Sequence, residues 1–140
     1  MDVDFTFRKP IDVSVILSTL LDAGMRSSTE GREVAYLVDE DGMFEWRTAA
    51  EYQLNEVMRE LGDPRWNDRV VGMTLFFAEA ETGGDFLFHP GRESMSCVVG
   101  INPKLFQGSS RFCDIGWYLA NLVPLLEPLG LSEIEARDSP

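Results

Sequence analysis

Few residues in this chain are equipped for chemistry. His89 is the only histidine. It stands in Phe86-Leu87-Phe88-His89-Pro90-Gly91, where an apolar run meets a turn, and a general base could be mounted at such a strand end. No serine in a nucleophile elbow and no second histidine accompanies it, so the local pattern reads as structural or simply exposed. Cys97 and Cys113 are the only cysteines. They belong to no Cys-x-x-Cys motif, and zinc spacing is absent. Asp39-Glu40-Asp41-Gly42 offers oxygen ligands, but its glycine comes too early for an EF-hand loop. Asp-Gly is first of all a hairpin turn. Gly83-Gly84 is followed neither by a helix nor by Lys-Ser/Thr, so neither phosphate-binding glycine motif is met. Glu79 with Glu81, and Glu56 with Glu60, are carboxylate pairs that a solvated strand or helix face would show equally well. These motifs lead us to expect no catalytic residue, no metal and no cofactor.

Charge is more informative. The 140 residues carry 24 acidic and 12 basic side chains, for a formal net charge of −12. Residues 1–70 hold 15 acids and 8 bases and residues 71–140 hold 9 and 4, so the acidity is not confined to a tail. A phosphate backbone would be repelled by such a surface, as would an anionic membrane. A basic protein partner is the complementary expectation, because opposite fields steer association. The candidate contacts are two hairpin tips, with Asp39, Glu40 and Asp41 on one and Glu79, Glu81 and Asp85 around the other. Trp66, between Arg65 and Arg69, adds a residue type favoured at interface hot spots. The competing reading is that acidity serves solubility and Trp66 folds back onto the core. If the helical crossovers start parallel strands, the two tips fall at opposite ends of the sheet and cannot share one patch.

The N-terminus, Met1-Asp2-Val3-Asp4, lacks the basic and apolar regions of a signal peptide. The longest nearly apolar stretch, 115–126, is far shorter than the roughly 20 residues a bilayer requires. Two cysteines are too few to staple a secreted fold, and both sit in apolar runs, so a reducing, cytoplasmic setting is expected.

The elements that position these residues follow from periodicity. Val3, Phe5 and Phe7 alternate with Asp2, Asp4 and Thr6, as in a strand with one buried face. Pro10 suits the first turn of a helix with Val13, Ile16, Leu17 and Leu20 on its stripe, and Gly24 suits its left-handed cap. Residues 33–38 and 43–46 form a hairpin around Asp41-Gly42. Thr48 and Glu51 have the spacing of a capping box ahead of Ala50, Leu54, Val57, Met58 and Leu61. Residues 70–78 are apolar on both alternating faces, as in a central strand, and Gly83-Gly84 turns them into 85–88. Strand 94–101 follows. Ser109 or Ser110 is expected to cap a last helix through Ile115, Leu119, Leu122 and Leu126, with Pro124 near its end, and 133–137 could add an edge strand.

The order β-α-β-β-α-β-β-β-α(-β) predicts one α+β domain over residues 1–140, with two layers and a mostly antiparallel sheet. A ferredoxin-like or split β-α-β arrangement is the leading topology. The functional expectation is a non-catalytic acidic module of inhibitor or immunity type that masks a basic partner such as a nuclease toxin. Two alternatives stand beside it. One is a small enzyme or ligand-binding domain with a pocket between sheet and helices. The other is a subunit of a larger assembly, including a homodimer through an exposed edge strand.

Overall fold

The computed structural model describes residues 1–78 and 80–140. Strand β1 (Asp2–Phe7) leads to helix α1 (Val13–Asp22) and then to the hairpin β2 (Val34–Val38) and β3 (Trp46–Ala49). Helix α2 (Leu54–Leu61) precedes a three-strand meander, β4 (Val71–Phe76), β5 (Gly83–Phe88) and β6 (Ser94–Ile101). Helix α3 (Ile115–Leu126) and edge strand β7 (Leu131–Arg137) complete the chain. All strand pairs are antiparallel, and the sheet order is β3-β2-β4-β5-β6-β1-β7.

The α+β expectation is met, including the late edge strand, which pairs with β1 from Asp2↔Arg137 to Phe7↔Leu131. A split β-α-β unit occurs twice. Helix α2 joins β3 to β4 around β2, and α3 joins β6 to β7 around β1. The sheet is wider than a ferredoxin-like one, because the meander separates β1 from β2 by three strands.

Alternation explains the core. Val3, Phe5 and Phe7 on β1, Met73 and Leu75 on β4, Phe86 and Phe88 on β5, and Met95 and Cys97 on β6 are buried in one cluster. Val13, Ile16, Leu17 and Leu20 of α1 join them, together with Val57 and Leu61 of α2 and Tyr118, Leu122 and Leu126 of α3. Full burial of each large side chain contributes roughly 1.5–3 kcal/mol. Near α3, Phe77 packs against Trp117 and Tyr118 with ring centroids 5.1 and 5.4 Å apart, in the tilted and edge-on arrangements that aromatic quadrupoles prefer.

Several local expectations are corrected. Thr48 does not cap a helix; it lies in β3, paired with Ala35. The helical segment begins at Glu51 as a 3-10 turn. There the Ala50 N–H donates to Gln53 Oε1 at 3.0 Å, which is the back half of a capping box without its hydroxyl half. The second hairpin strand is displaced accordingly, from 43–46 to Trp46–Ala49. Helix α1 is capped by Asp12, whose Oδ1 accepts from Ser14 N–H at 2.9 Å, rather than opened by Pro10. Helix α3 is capped by Asp114, which accepts from Trp117 N–H at 3.1 Å. Ser109 instead closes a turn in the preceding loop, accepting from the N–H groups of Arg111 and Phe112. Carboxylates and hydroxyls compete for the same backbone donors, and in both helices the carboxylate adjoining the first turn holds them. Gly24, at φ +107°, takes the left-handed position foreseen for it.

Candidate binding face

The face of the sheet opposite the helices carries Asp2, Asp4 and Thr6 of β1, Ser94, Ser96 and Val98 of β6, and Glu133, Glu135 and Arg137 of β7. Asp2, Glu133, Glu135 and Arg137 are exposed there. Asp4 stands directly opposite Glu135, a like-charge pair of the kind that weakens a sheet. Arg137 reaches both, at 3.9 Å from Asp4 Oδ2 and 3.8 Å from Glu135 Oε1. Its side chain is 68% exposed, so water and salt screen the pairing. Asp85 lies on the same face two strands away, in the row Asp2↔Val98↔Asp85. It accepts from Thr74 Oγ1 at 2.8 Å. At about 4.8 Å per strand, these carboxylates span three strand intervals, or roughly 14 Å.

His89 also points onto this face and is not an isolated side chain. Its Nε2 is 2.7 Å from Ser96 Oγ, and Ser96 Oγ is 2.6 Å from Asp4 Oδ1. A carboxylate only accepts, so the single hydroxyl proton of Ser96 goes to Asp4. Nε2 must then donate to Ser96. A serine activated by histidine needs the opposite polarity, with the imidazole accepting the hydroxyl proton. The His89–Ser96–Asp4 chain therefore fixes one oxygen of Asp4 and leaves Oδ2 toward solvent and Arg137. A cavity of about 420 Å³, lined by Asp4, Thr6, His89, Ser94, Ser96 and Glu135, opens beside it. Among the described residues, no cluster of three or more His, Cys, Asp or Glu side chains could hold a metal ion, and no helix is long and apolar enough to cross a membrane.

Comparison with protein-family models, curated proteins and solved structures gives no match. The functional reading therefore rests on the geometry of the chain itself.

The residues expected from sequence to contact a partner are not brought together. The Asp39 N–H bonds to Val70 O, just ahead of β4, whereas the Glu81 tip follows the far end of that strand. Six residues at about 3.3 Å each set the tips roughly 20 Å apart. Within the first tip the acids are engaged locally. Asp39 is buried and accepts from Phe44 N–H, Asp41 accepts from Met43 N–H, and Glu40 pairs with Arg47 at 2.8 Å. Glu81 is exposed and borders a cavity with Arg26, Arg32 and Asn102. Asp85 belongs to the open face rather than to a tip. Glu79 lies outside the described residues. Trp66 is half-buried against the core, its Nε1–H donates to Glu60 Oε1 at 3.1 Å, and Arg65 stacks over its ring at 4.8 Å.

Asp2, Asp4, Ser96, Glu133 and Glu135 are the site residues that motif reasoning missed. Their signal was present as the polar half of each strand's alternation, but nothing in it told which strands are neighbours. Arg92 was missed too. Its side chain is buried, and its guanidinium donates to the carbonyl oxygens of Trp66, Arg69, Phe88 and His89. Burial lowers its pKa, and the nearby charge of Asp68 opposes that shift. Arg92 thereby ties the 66–69 loop to the β5–β6 turn that presents His89.

Proposed function

We propose that the chain is a non-catalytic acidic binding module that docks a basic protein on the open face of its sheet, in the manner of an inhibitor or immunity protein masking a cationic enzyme such as a nuclease. The observation that carries this reading is the set Asp2, Asp4, Asp85, Glu133 and Glu135 on one face, accompanied only by the exposed Arg137 among the charged residues of these rows. Cross-strand like charges cost the isolated sheet stability, and a cationic partner would relieve that cost. The fixed carboxylate of Asp4 offers a preorganised acceptor, which spares a partner arginine or lysine part of the ordering entropy. The −12 net charge would add long-range steering toward a basic surface. A cytoplasmic partner belongs to this reading and suits two buried, unbridged cysteines.

The test is capture of the partner by the intact protein, followed by association kinetics at two salt concentrations. A basic partner is expected. Its association rate should fall with salt and fall again with Glu133→Lys plus Glu135→Lys, while Asp41→Lys leaves it nearly unchanged. An acidic partner, or a rate indifferent to salt and to the β7 reversals, overturns the reading.

A second reading, a small enzyme, is favoured by one observation only, the hydroxyl of Ser96 held between His89 and Asp4. The proton directions derived above weigh against it.

A further inference from the structure

Strand β4 stops at Phe76, β5 starts at Gly83 and β6 stops at Ile101, so three neighbouring strand ends lie side by side. The loop from α1 to β2 is tied to them, because Arg26 and Phe76 exchange both main-chain hydrogen bonds, at 2.9 and 2.8 Å. Between this loop and the strand ends opens a cavity of about 410 Å³ with a polar lining of Arg26, Thr29, Glu30, Arg32, Glu81 and Asn102. The Arg26 guanidinium is anchored in its wall. Its Nη2 donates to the carbonyl oxygens of Phe77 and Ala80, while its Nε is buried without any partner. Two cationic and two anionic side chains thus share one cavity. None of the four takes part in an ion pair among the described residues.

We propose that this cavity binds a small zwitterion, an α-amino acid being the simplest case, with its carboxylate on Arg26 and Arg32 and its ammonium on Glu30 and Glu81. A simple anion would meet the two glutamates and the −12 charge of the chain. A simple cation would meet the two guanidinium groups. Only a molecule carrying both charges finds a partner for each, and the mismatched charge rejects the others. Arg26 is the fixed point of the site. Its backbone and guanidinium are already ordered by the fold, so a carboxylate docking there forfeits less conformational freedom. Its positive charge rests on neutral carbonyls, and its orphaned donor is the kind of buried group that calls for an acceptor the protein itself does not supply. Asn102 adds an amide. Its backbone is left-handed at φ +41° and its carbonyl accepts from Thr82 Oγ1 at 2.8 Å. Its Nδ2 meets the Glu81 carbonyl only at 3.5 Å, beyond a good hydrogen bond, and so remains able to donate to a ligand. The site uses none of the open-face carboxylates, so it stands whether or not the binding function proposed above does.

The test is a nitrogen–proton NMR titration of the intact protein with the common L-amino acids, one at a time, and with acetate, methylammonium and inorganic phosphate. At least one amino acid should shift the amides of Arg26, Arg32, Glu81 and Asn102 saturably, with a Kd of about 1 mM or tighter. Acetate and methylammonium, which carry one charge each, should bind about tenfold more weakly or worse, as should phosphate. Arg32 and Glu81 are exposed, so Arg32→Gln and Glu81→Gln should leave the melting midpoint unchanged while each raises the Kd by about tenfold. Arg26→Gln should abolish binding, and its circular dichroism melt separates that loss from unfolding. Three results overturn the proposal. One is the absence of saturable shifts at these amides with any amino acid. Another is acetate or phosphate binding as tightly as the best amino acid, which makes this a plain anion site. The third is an affinity indifferent to both Arg32→Gln and Glu81→Gln.

Discussion

Ser96 lies 92 residues from Asp4 in the chain, yet its hydroxyl sits 2.6 Å from Asp4 Oδ1 and simultaneously meets His89 Nε2. Both contacts are partly shielded, and Ser96 itself is only 7% exposed. Ser96→Ala should therefore cost about 1–3 kcal/mol, the range for leaving polar partners unsatisfied. A urea melt of the variant reads it as a lower midpoint at unchanged slope.

The same geometry determines which ring nitrogen of His89 carries the proton. When neutral, the imidazole should be the Nε2–H tautomer, because Ser96 gives its own proton to the Asp4 carboxylate. Nitrogen NMR shifts of the ring distinguish the tautomers. A dominant Nδ1–H form would mean that Ser96 donates to His89, and would reopen the catalytic alternative.

Helix capping provides a paired test. Asp12→Ala and Asp114→Ala should each lower stability by about 1 kcal/mol, as lost N-caps do. Thr48→Ala removes a hydroxyl from an exposed edge strand and should change it by less than about 0.5 kcal/mol. A Thr48 effect as large as the Asp12 effect would return the start of α2 to Thr48.

Arg92 should be irreplaceable by lysine. Its guanidinium serves four carbonyl oxygens in different directions, and an ammonium has three donors. Both Arg92→Lys and Arg92→Met should destabilise by a few kcal/mol, because buried carbonyls lose their partners. Circular dichroism melts measure this, and amide exchange should show the largest loss of protection at 66–69 and 89–92.

Alkaline pH should unfold the protein early. Burial pushes the Cys97 thiol up from its ordinary 9.0 to about 12, and the Tyr118 phenol up from 10.0 to about 12. Both folded-state values are raised, so the neutral forms are favoured in the folded chain. Stability from this source is full below the ordinary values, then falls as pH climbs from about 9 toward 12, by an order of a few kcal/mol. Cys97→Ser should remove much of that slope, as seen in melting midpoints between pH 8 and 11. At neutral pH a disulfide-exchange reagent should label Cys97 only on unfolding.

Much of this protein was legible in its sequence, because one physical signal is local. Period-two alternation in Val3-Phe5-Phe7 or Met95-Cys97-Val99 and helical spacing in Val13-Ile16-Leu17-Leu20 report which side chains leave water, and the element order and α+β class follow from that. Caps were harder, since Thr48, Ser109 and Asp114 all carry oxygens able to accept a helix N–H, and only the folded backbone decides which is near one. Neighbourhood was not legible at all. That Asp4 of β1 lies between Ser96 of β6 and Glu135 of β7 depends on strand order, which arises from packing helices and closing crossovers over long separations. The separation of the two acidic tips to opposite ends of β4 follows from the parallel return through α2, which the sequence reading allows for. The strand order, by contrast, gathered five scattered carboxylates, Asp2, Asp4, Asp85, Glu133 and Glu135, on one open face. The charge of the chain is a property of its composition, whereas its concentration on a surface is a property of the sheet.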